Sequence, residues 1–370
     1  MNQFNRRDWL RTAGLSSGLI LLSGLDTSAA ERYAIDPIIN GPIKLNANEN
    51  PYSPSANIQK VLTNNFDLSC RYPFRILSDL VQMIAEKEGV SKEHVVVTGG
   101  STEGLKAAGL IYGRDGGEII AANPTYQALL TYAKTFGAEI QRVGLNDRLE
   151  HDLGAMAARI NKNTKLIFIC NPNNPTGTIV DSRELKDFCY SHDQQAVIFS
   201  DEAYYDFITE PDYPSMVDLV KEGRNIIVSK TFSKVYGLAG LRVGYLIAKP
   251  EIAGKLKKAV MANTNVFAIV AAQEALRDDE FYKFSIAKNK EAKDHIYKVL
   301  DALNLNYVQS HSNFVFFESG RPIRELMKSM AKENVLIGRP FPPMDQWARI
   351  STGTIDDMKQ FSEALIKVMA

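Results

Sequence analysis

An α/β fold, with a mostly parallel central sheet wrapped by helices and a smaller α+β unit after it, is what this sequence predicts. Three observations carry the prediction. First, six short runs rich in Val and Ile recur: HVVVTGG (94–100), GEIIAANPTY (117–126), KLIFICNPNNP (165–175), AVIFSDEAYY (196–205), NIIVSKTFSK (225–234) and RVGYLIA (242–248). They are nearly unbroken by polar residues, as strands buried on both faces are. Second, helix-like segments such as TEGLKAAGLIYG (102–113) and DSRELKDFCYSH (181–192) lie between them, and strand–helix alternation builds a parallel sheet. Third, the pattern changes beyond Pro250. EFYKFSIAKNKEAKDHIYKVLDAL (280–303) reads as a long amphipathic helix, and SNFVFFES (312–319) and WARISTGT (347–354) read as strands of a smaller unit.

The bulk numbers agree with a globular protein. Of 370 residues, 45% are hydrophobic and 23% charged, enough for a full core. Lys+Arg and Asp+Glu are 43 each, so no basic field recruits nucleic acid. Cys70, Cys170 and Cys189 are too far apart for a disulfide framework, and the five histidines pair with no cysteine at metal-ligand spacing.

The first thirty residues differ in kind. Arg6-Arg7 precede an apolar run from Ala13 to Leu25, and Ser28-Ala29-Ala30 follow it. The run is too short for a stable membrane span. Its basic front and small-residue exit fit a cleaved signal, and Arg-Arg-x-Trp-Leu-Arg resembles the twin-arginine export signal of bacteria. An uncleaved anchor or a plain amphipathic helix is the alternative. The expected address is the periplasm, reached through the twin-arginine export machinery, with the cytoplasm as the alternative. Four segments follow: a signal over 1–30, an arm over 31–71 joining the smaller unit, a large domain over 72–277 and a small domain over 278–370.

Polar residues gather where the predicted strands end. In an open α/β sheet, ligands bind outside the carboxyl ends of the strands, so these segments should converge on one crevice. GGSTEG (99–104) opens a helix and offers an anion site through Ser101 and Thr102, or only a cap; no Gly-Lys-Ser/Thr of a Walker loop follows. Tyr126 at a strand exit stacks on a planar ring or fills core. Asn174 sits in the turn NPNNPTG (171–177), whose Asn-Pro pairs are turn chemistry first. Asp201 ends AVIFS as a helix cap or as the partner of a buried cation, and Tyr204 lies one turn on. Lys234 follows the hydroxyls of Thr231 and Ser233. In a dry cleft its amine loses protons readily and attacks carbonyls to give a Schiff base; otherwise it is a surface lysine in a loop. Arg242 can grip a phosphate in fork geometry.

Taken in order, these segments resemble the class I/II aminotransferases, the fold type I enzymes that use pyridoxal 5'-phosphate. Tyr-Pro, Gly-Ser-Thr-Glu, Pro-Thr-Tyr, Asn-Pro-Asn-Asn-Pro-Thr-Gly, Asp-Glu-Ala-Tyr, Ser-Lys-Val-Tyr-Gly-Leu-Ala-Gly-Leu-Arg-Val-Gly and a late Arg-Ile-Ser-Thr-Gly match from about residue 45 to 355. LNANENP (45–51) and CRYP (70–73) are most similar to the histidinol-phosphate aminotransferase branch.

The resemblance implies roles residue by residue. Lys234 holds the cofactor as a Schiff base and shuttles the substrate α-proton. Asp201 pairs with the pyridine nitrogen. Tyr204 and Asn174 hydrogen-bond the 3' oxygen, and Tyr126 stacks on the ring. Ser101, Thr102, Thr231, Ser233 and Arg242 hold the phosphate, with Tyr72 reaching across from a second subunit of a homodimer. Arg349 takes the substrate carboxylate with help from Asn174, and Arg339 matches an arginine that holds a second anionic group, or is a surface arginine before a Pro-rich turn. Residues 46–52 are expected at the entrance. Thr102 stands where that branch usually has Asp, and the 339–349 loop is short. The implied substrates are an amino acid or histidinol-phosphate-like amine and a 2-oxo acid. Decarboxylation of a threonine-phosphate type, β-elimination and simple ligand capture are the competing readings.

Overall fold

The computed structural model describes residues 41–370; the proposed signal and the first ten residues of the arm lie outside them. Its strands, in chain order, are β1 (Ile43–Leu45), β2 (Val95–Thr98), β3 (Glu118–Asn123), β4 (Glu139–Gly144), β5 (Thr164–Cys170), β6 (Val197–Asp201), β7 (Ile226–Thr231), β8 (Gly244–Ala248), β9 (Phe314–Glu318), β10 (Val335–Ile337) and β11 (Trp347–Ser351). Seven of them form one sheet in the order β2-β8-β7-β6-β5-β3-β4. All neighbours run parallel except at β8, which is antiparallel to β2 and to β7. The expected mostly parallel sheet is therefore present.

Both faces of this sheet are buried, and successive residues of a strand feed opposite cores. Ile167, Ile169, Ile198 and Val228 pack in one apolar cluster, while Leu166, Phe168, Phe199 and Ile227 pack in the other. That is the physical reason the strands read as unbroken apolar runs rather than alternating ones. β4 escapes the pattern: it is one of the two edge strands, and of EIQRVG only Val143 is buried, whereas β2 at the other edge is mostly covered. With one side facing solvent it carries no continuous apolar signal.

The helices Ser101–Gly113, Ser182–His192 and Asp279–Ala302 fall where periodicity placed them. Asp181 caps the second with its side chain on Arg183 N and Glu184 N, and Asp278 caps the third through Phe281 N. Among the described residues, no helix is long and apolar enough to cross a membrane.

A separate apolar cluster joins Leu45, Ile296, Leu300, Phe317, Ile350 and Phe361. β9 and β11 form an antiparallel pair across it, and β1 pairs in parallel with β10. The arm thus divides. Its strand β1 belongs to this smaller unit, whereas the helix Ala56–Asn64 buries Ile58 in the large core.

Candidate active site

The strand tips do converge. A cavity of about 340 Å³ is lined by Ser101, Thr102, Tyr126, Asn174, Asp201, Tyr204, Ser233, Lys234, Arg242, Arg339 and Arg349, together with Ala47, Asn48, Glu49, Ala203 and Ala239. Two expected residues stand apart from it. Tyr72 is 79% exposed and stacks on Phe74 with ring centroids 5.8 Å apart. Thr231 sits behind Ser233, donating to its Oγ at 3.0 Å and accepting from its N–H at 3.1 Å, so it touches the cavity only through that neighbour.

One end of the cavity is built for an anion. Helix Ser101–Gly113 begins after Gly100, whose φ of +80° and missing side chain leave the first N–H groups uncapped. A Cβ at Gly100 would come within 2.3 Å of the Arg242 guanidinium, so only glycine lets the arginine lie across the helix start. One at Gly244 would lie 2.7 Å from Ser101 N. Arg242 does not begin a strand, as its place in RVGYLIA suggested. It takes a left-handed conformation at φ +61° just before β8, which swings its side chain back to Ala239 O (2.7 Å) and Ser233 Oγ (3.4 Å). Glu103 braces the turn, accepting from Gly99 N and, at 3.1 Å, from Met261 N. Its place in GGSTEG was the available signal for that role.

The middle of the cavity holds a buried acid and a basic amine. Asp201 closes β6 with 2% of its surface exposed, and among the described residues its Oδ1 meets no hydrogen-bond partner. Burial pushes its carboxyl up to about 7, with the adjacent Glu202 adding to the rise and the Ala203 N–H and Lys234 opposing it. An orphaned, buried carboxylate oxygen is costly unless a donor arrives. Lys234 is displaced the other way. Burial and then the Arg349 charge lower its amine to about 8, so near neutrality it releases its proton far more readily than an ordinary lysine. Its Nζ donates to Asn48 O at 2.7 Å and lies 5.4 Å from the Tyr204 ring centre.

The far wall comes from the smaller unit. Arg349 on β11 is buried, with Nη1 donating to Asn174 Oδ1 at 2.6 Å and Nη2 to Asn46 O at 3.0 Å. Its guanidinium lies 5.4 Å from the Phe314 ring and 4.8 Å from Phe341, and burial lowers its affinity for protons. Nε has no partner. Asn174 also donates to the Tyr204 hydroxyl at 3.2 Å, so one amide links the arginine to the phenol. Arg339 is exposed at the rim, 4.4 Å over Phe341.

These residues fit pyridoxal 5'-phosphate on structural grounds. The uncapped helix start with Arg242 suits the phosphate, the orphaned Asp201 oxygen suits a protonated ring nitrogen, and the shifted lysine suits an aldehyde.

Comparison with known proteins agrees. The family model for aminotransferases of class I and II matches residues 40–365. A histidinol-phosphate aminotransferase from Moorella thermoacetica is 38% identical over 332 residues, covering 89% of this chain and 86% of that protein. A candidate histidinol-phosphate aminotransferase structure from Erwinia carotovora atroseptica superposes with a TM-score of 0.84 at 30% identity, covering 88% of this chain and 95% of that one. The Sinorhizobium meliloti histidinol-phosphate aminotransferase, solved with pyridoxal-5'-phosphate, gives 0.83 over 89% of this chain and 91% of its own; at 23% identity it speaks for the fold.

Proposed function

The chain belongs to the class I and II aminotransferase family, and from that premise we propose that it moves an amino group from a histidinol-phosphate-like amine or amino acid to a 2-oxo acid. The protein is an aminotransferase, a transferase of nitrogenous groups, and its cofactor is pyridoxal 5'-phosphate. The observation that carries the reading is the meeting of Lys234, Asp201 and Arg349, from three distant segments, around one cavity.

When bound, the cofactor supplies a ring that accepts the electron pair left as the substrate α-C–H bond breaks. The protein supplies the rest. Ser101, Thr102, Ser233 and Arg242 hold the phosphate. Lys234 would hold the cofactor's aldehyde, and its free amine would take and return the α-proton at Nζ; its lowered pKa suits it to that task near neutrality. Asp201 keeps the ring nitrogen protonated, and the partner gained there offsets the cost of its burial. Tyr204, held by Asn174, supports the 3' oxygen. Arg349 orients the substrate's anionic group as a fork, and Arg339 at the rim stands ready for a second negative charge. Closure of the smaller unit excludes water.

Decarboxylation and β-elimination use the same residues, so the test must follow the amino group. Holoprotein mixed with histidinol phosphate or with each common amino acid should lose its visible band and accumulate the pyridoxamine form of the cofactor. Product formation with the visible band restored, and no pyridoxamine form, would assign a lyase or decarboxylase instead. No spectral response to any donor would leave a binding protein.

The exposed Tyr72 and Phe74 support a homodimer in which Tyr72 completes a neighbour's phosphate site; a monomeric holoprotein in sedimentation would refute it. Arg6-Arg7 and the apolar run behind them support export to the periplasm by the twin-arginine route. Activity recovered only with the cytoplasmic fraction of the native host would overturn that.

A further inference from the structure

Asn48 is buried to 2% exposure although its backbone is left-handed at φ +53°, a conformation residues with side chains rarely adopt. Its neighbours over-determine it. Its N–H donates to Ser351 Oγ at 2.8 Å, and that hydroxyl donates back to Asn48 Oδ1 at 2.8 Å. This exchange turns Nδ2 toward Tyr204, whose hydroxyl oxygen it reaches at 3.0 Å. The carbonyl oxygen accepts from Lys234 Nζ at 2.7 Å and from Asn313 Nδ2 at 3.1 Å. Ser351 stands two residues beyond Arg349 on β11, on the same face of that strand.

We propose that Asn48 is a positioning residue that sets where the Tyr204 hydroxyl proton points and where the Lys234 amine rests, while tying both to the strand that carries Arg349. The inference rests on the aminotransferase reading of the cavity. Its core is a count of lone pairs. The Tyr204 oxygen accepts from Asn48 Nδ2 and from Asn174 Nδ2. Neither amide nitrogen can accept, so the phenol's own proton is left for the cavity. An amide oxygen turned to the phenol would capture that proton instead.

Lys234 sits among Asp201 from β6, Glu49 beside Asn48, Arg349 from β11 and Arg242 before β8, which shift its proton affinity in opposite directions, and over the Tyr204 phenol. A carboxylate at 48 would join the acids in this set.

Three variants separate positioning from packing. Asn48→Gly accepts the positive φ and keeps the carbonyl, and so controls for folding. Asn48→Ala removes the side-chain bonds at added backbone strain. Asn48→Asp keeps the shape and the acceptor for Ser351, but replaces the donor facing Tyr204 with an acceptor bearing charge. The measurement is the pH dependence of Lys234 acylation in cofactor-free protein, read by mass spectrometry, alongside the pH midpoint of the visible band in holoprotein.

In Asn48→Asp both midpoints should rise by about one pH unit. Asn48→Gly should move them by less than half a unit, while kcat falls about tenfold and KM for the donor changes less than threefold. A melting temperature that falls with both midpoints unmoved in Asn48→Asp would make Asn48 a structural strap and overturn the proposal. Because acylation is read without cofactor, that outcome is distinct from failure of the aminotransferase reading, which would show as no cofactor band in the parent protein.

Discussion

The two halves of the cavity are made by different means. On the large domain, Asp201 closes β6 within the ladder of the seven-stranded sheet, and Ser233 and Lys234 stand in the turn just beyond the end of β7. On the other side, Arg349 comes from a two-stranded pair in a separate core, and it is held by side-chain and carbonyl contacts to Asn174 and Asn46. The first half is rigid because its supports are buried strands. The second meets the first through the bond from Arg349 to Asn174, while the Asn46 contact lies within the smaller unit next to β1. The residues proposed to hold the cofactor lie on the first half, and the arginine proposed to hold the substrate lies on the second.

That division can be broken from either side. The largest effect is expected on the rigid half. Asp201→Ala should retain cofactor yet slow turnover by at least about 10²–10³-fold, since a charge aimed at the reacting ring is lost. Stopped-flow loss of the visible band would show it, and near-normal rates would remove Asp201 from that role. Arg349→Ala should cost less, about 10–100-fold in kcat/KM and mostly through KM, because a charge-assisted contact to bound substrate is removed. An unchanged KM for anionic donors would move the anchor elsewhere.

A separate effect is expected on stability. Folding raises the Asp201 pKa from 3.8 to about 7. The stability this contributes is complete below about pH 4 and lost as pH rises through 7. In cofactor-free protein, Asp201→Asn should therefore gain stability over the parent as pH climbs from 4 to 8, by up to roughly 4 kcal/mol. Denaturant melts at several pH values test this. A gain that is the same at every pH would deny that burial of the charge is the cause. The gain should shrink in holoprotein, where the carboxylate has a partner.

The same contrast explains what the sequence revealed. Residues at the ends of buried strands were legible because an unbroken apolar run stops at polar residues, as at Ser200-Asp201 and at Asn171. Arg349 and Arg339 were reached through the family resemblance, since nothing in local pattern places β11 beside β6. β4, β1 and β10 were missed, two for being three residues long and one for being an exposed edge. The left-handed backbones of Asn48 and Arg242 were equally silent, because asparagine and arginine carry no turn signal as strong as glycine's. Asn48 was named only as part of the entrance; its link to Lys234 depends on a contact 186 residues apart.

The central claim is that the Lys234 amine, among all 370 residues, is the one that takes the cofactor. Borohydride reduction of the holoprotein followed by peptide mass spectrometry tests it most directly. The pyridoxyl-phosphate mass should be fixed on the peptide bearing Lys234, and Lys234→Ala should lose both the adduct and the visible band while keeping the fold. An adduct on Lys230 four residues earlier, or a visible band surviving in Lys234→Ala, would contradict the account.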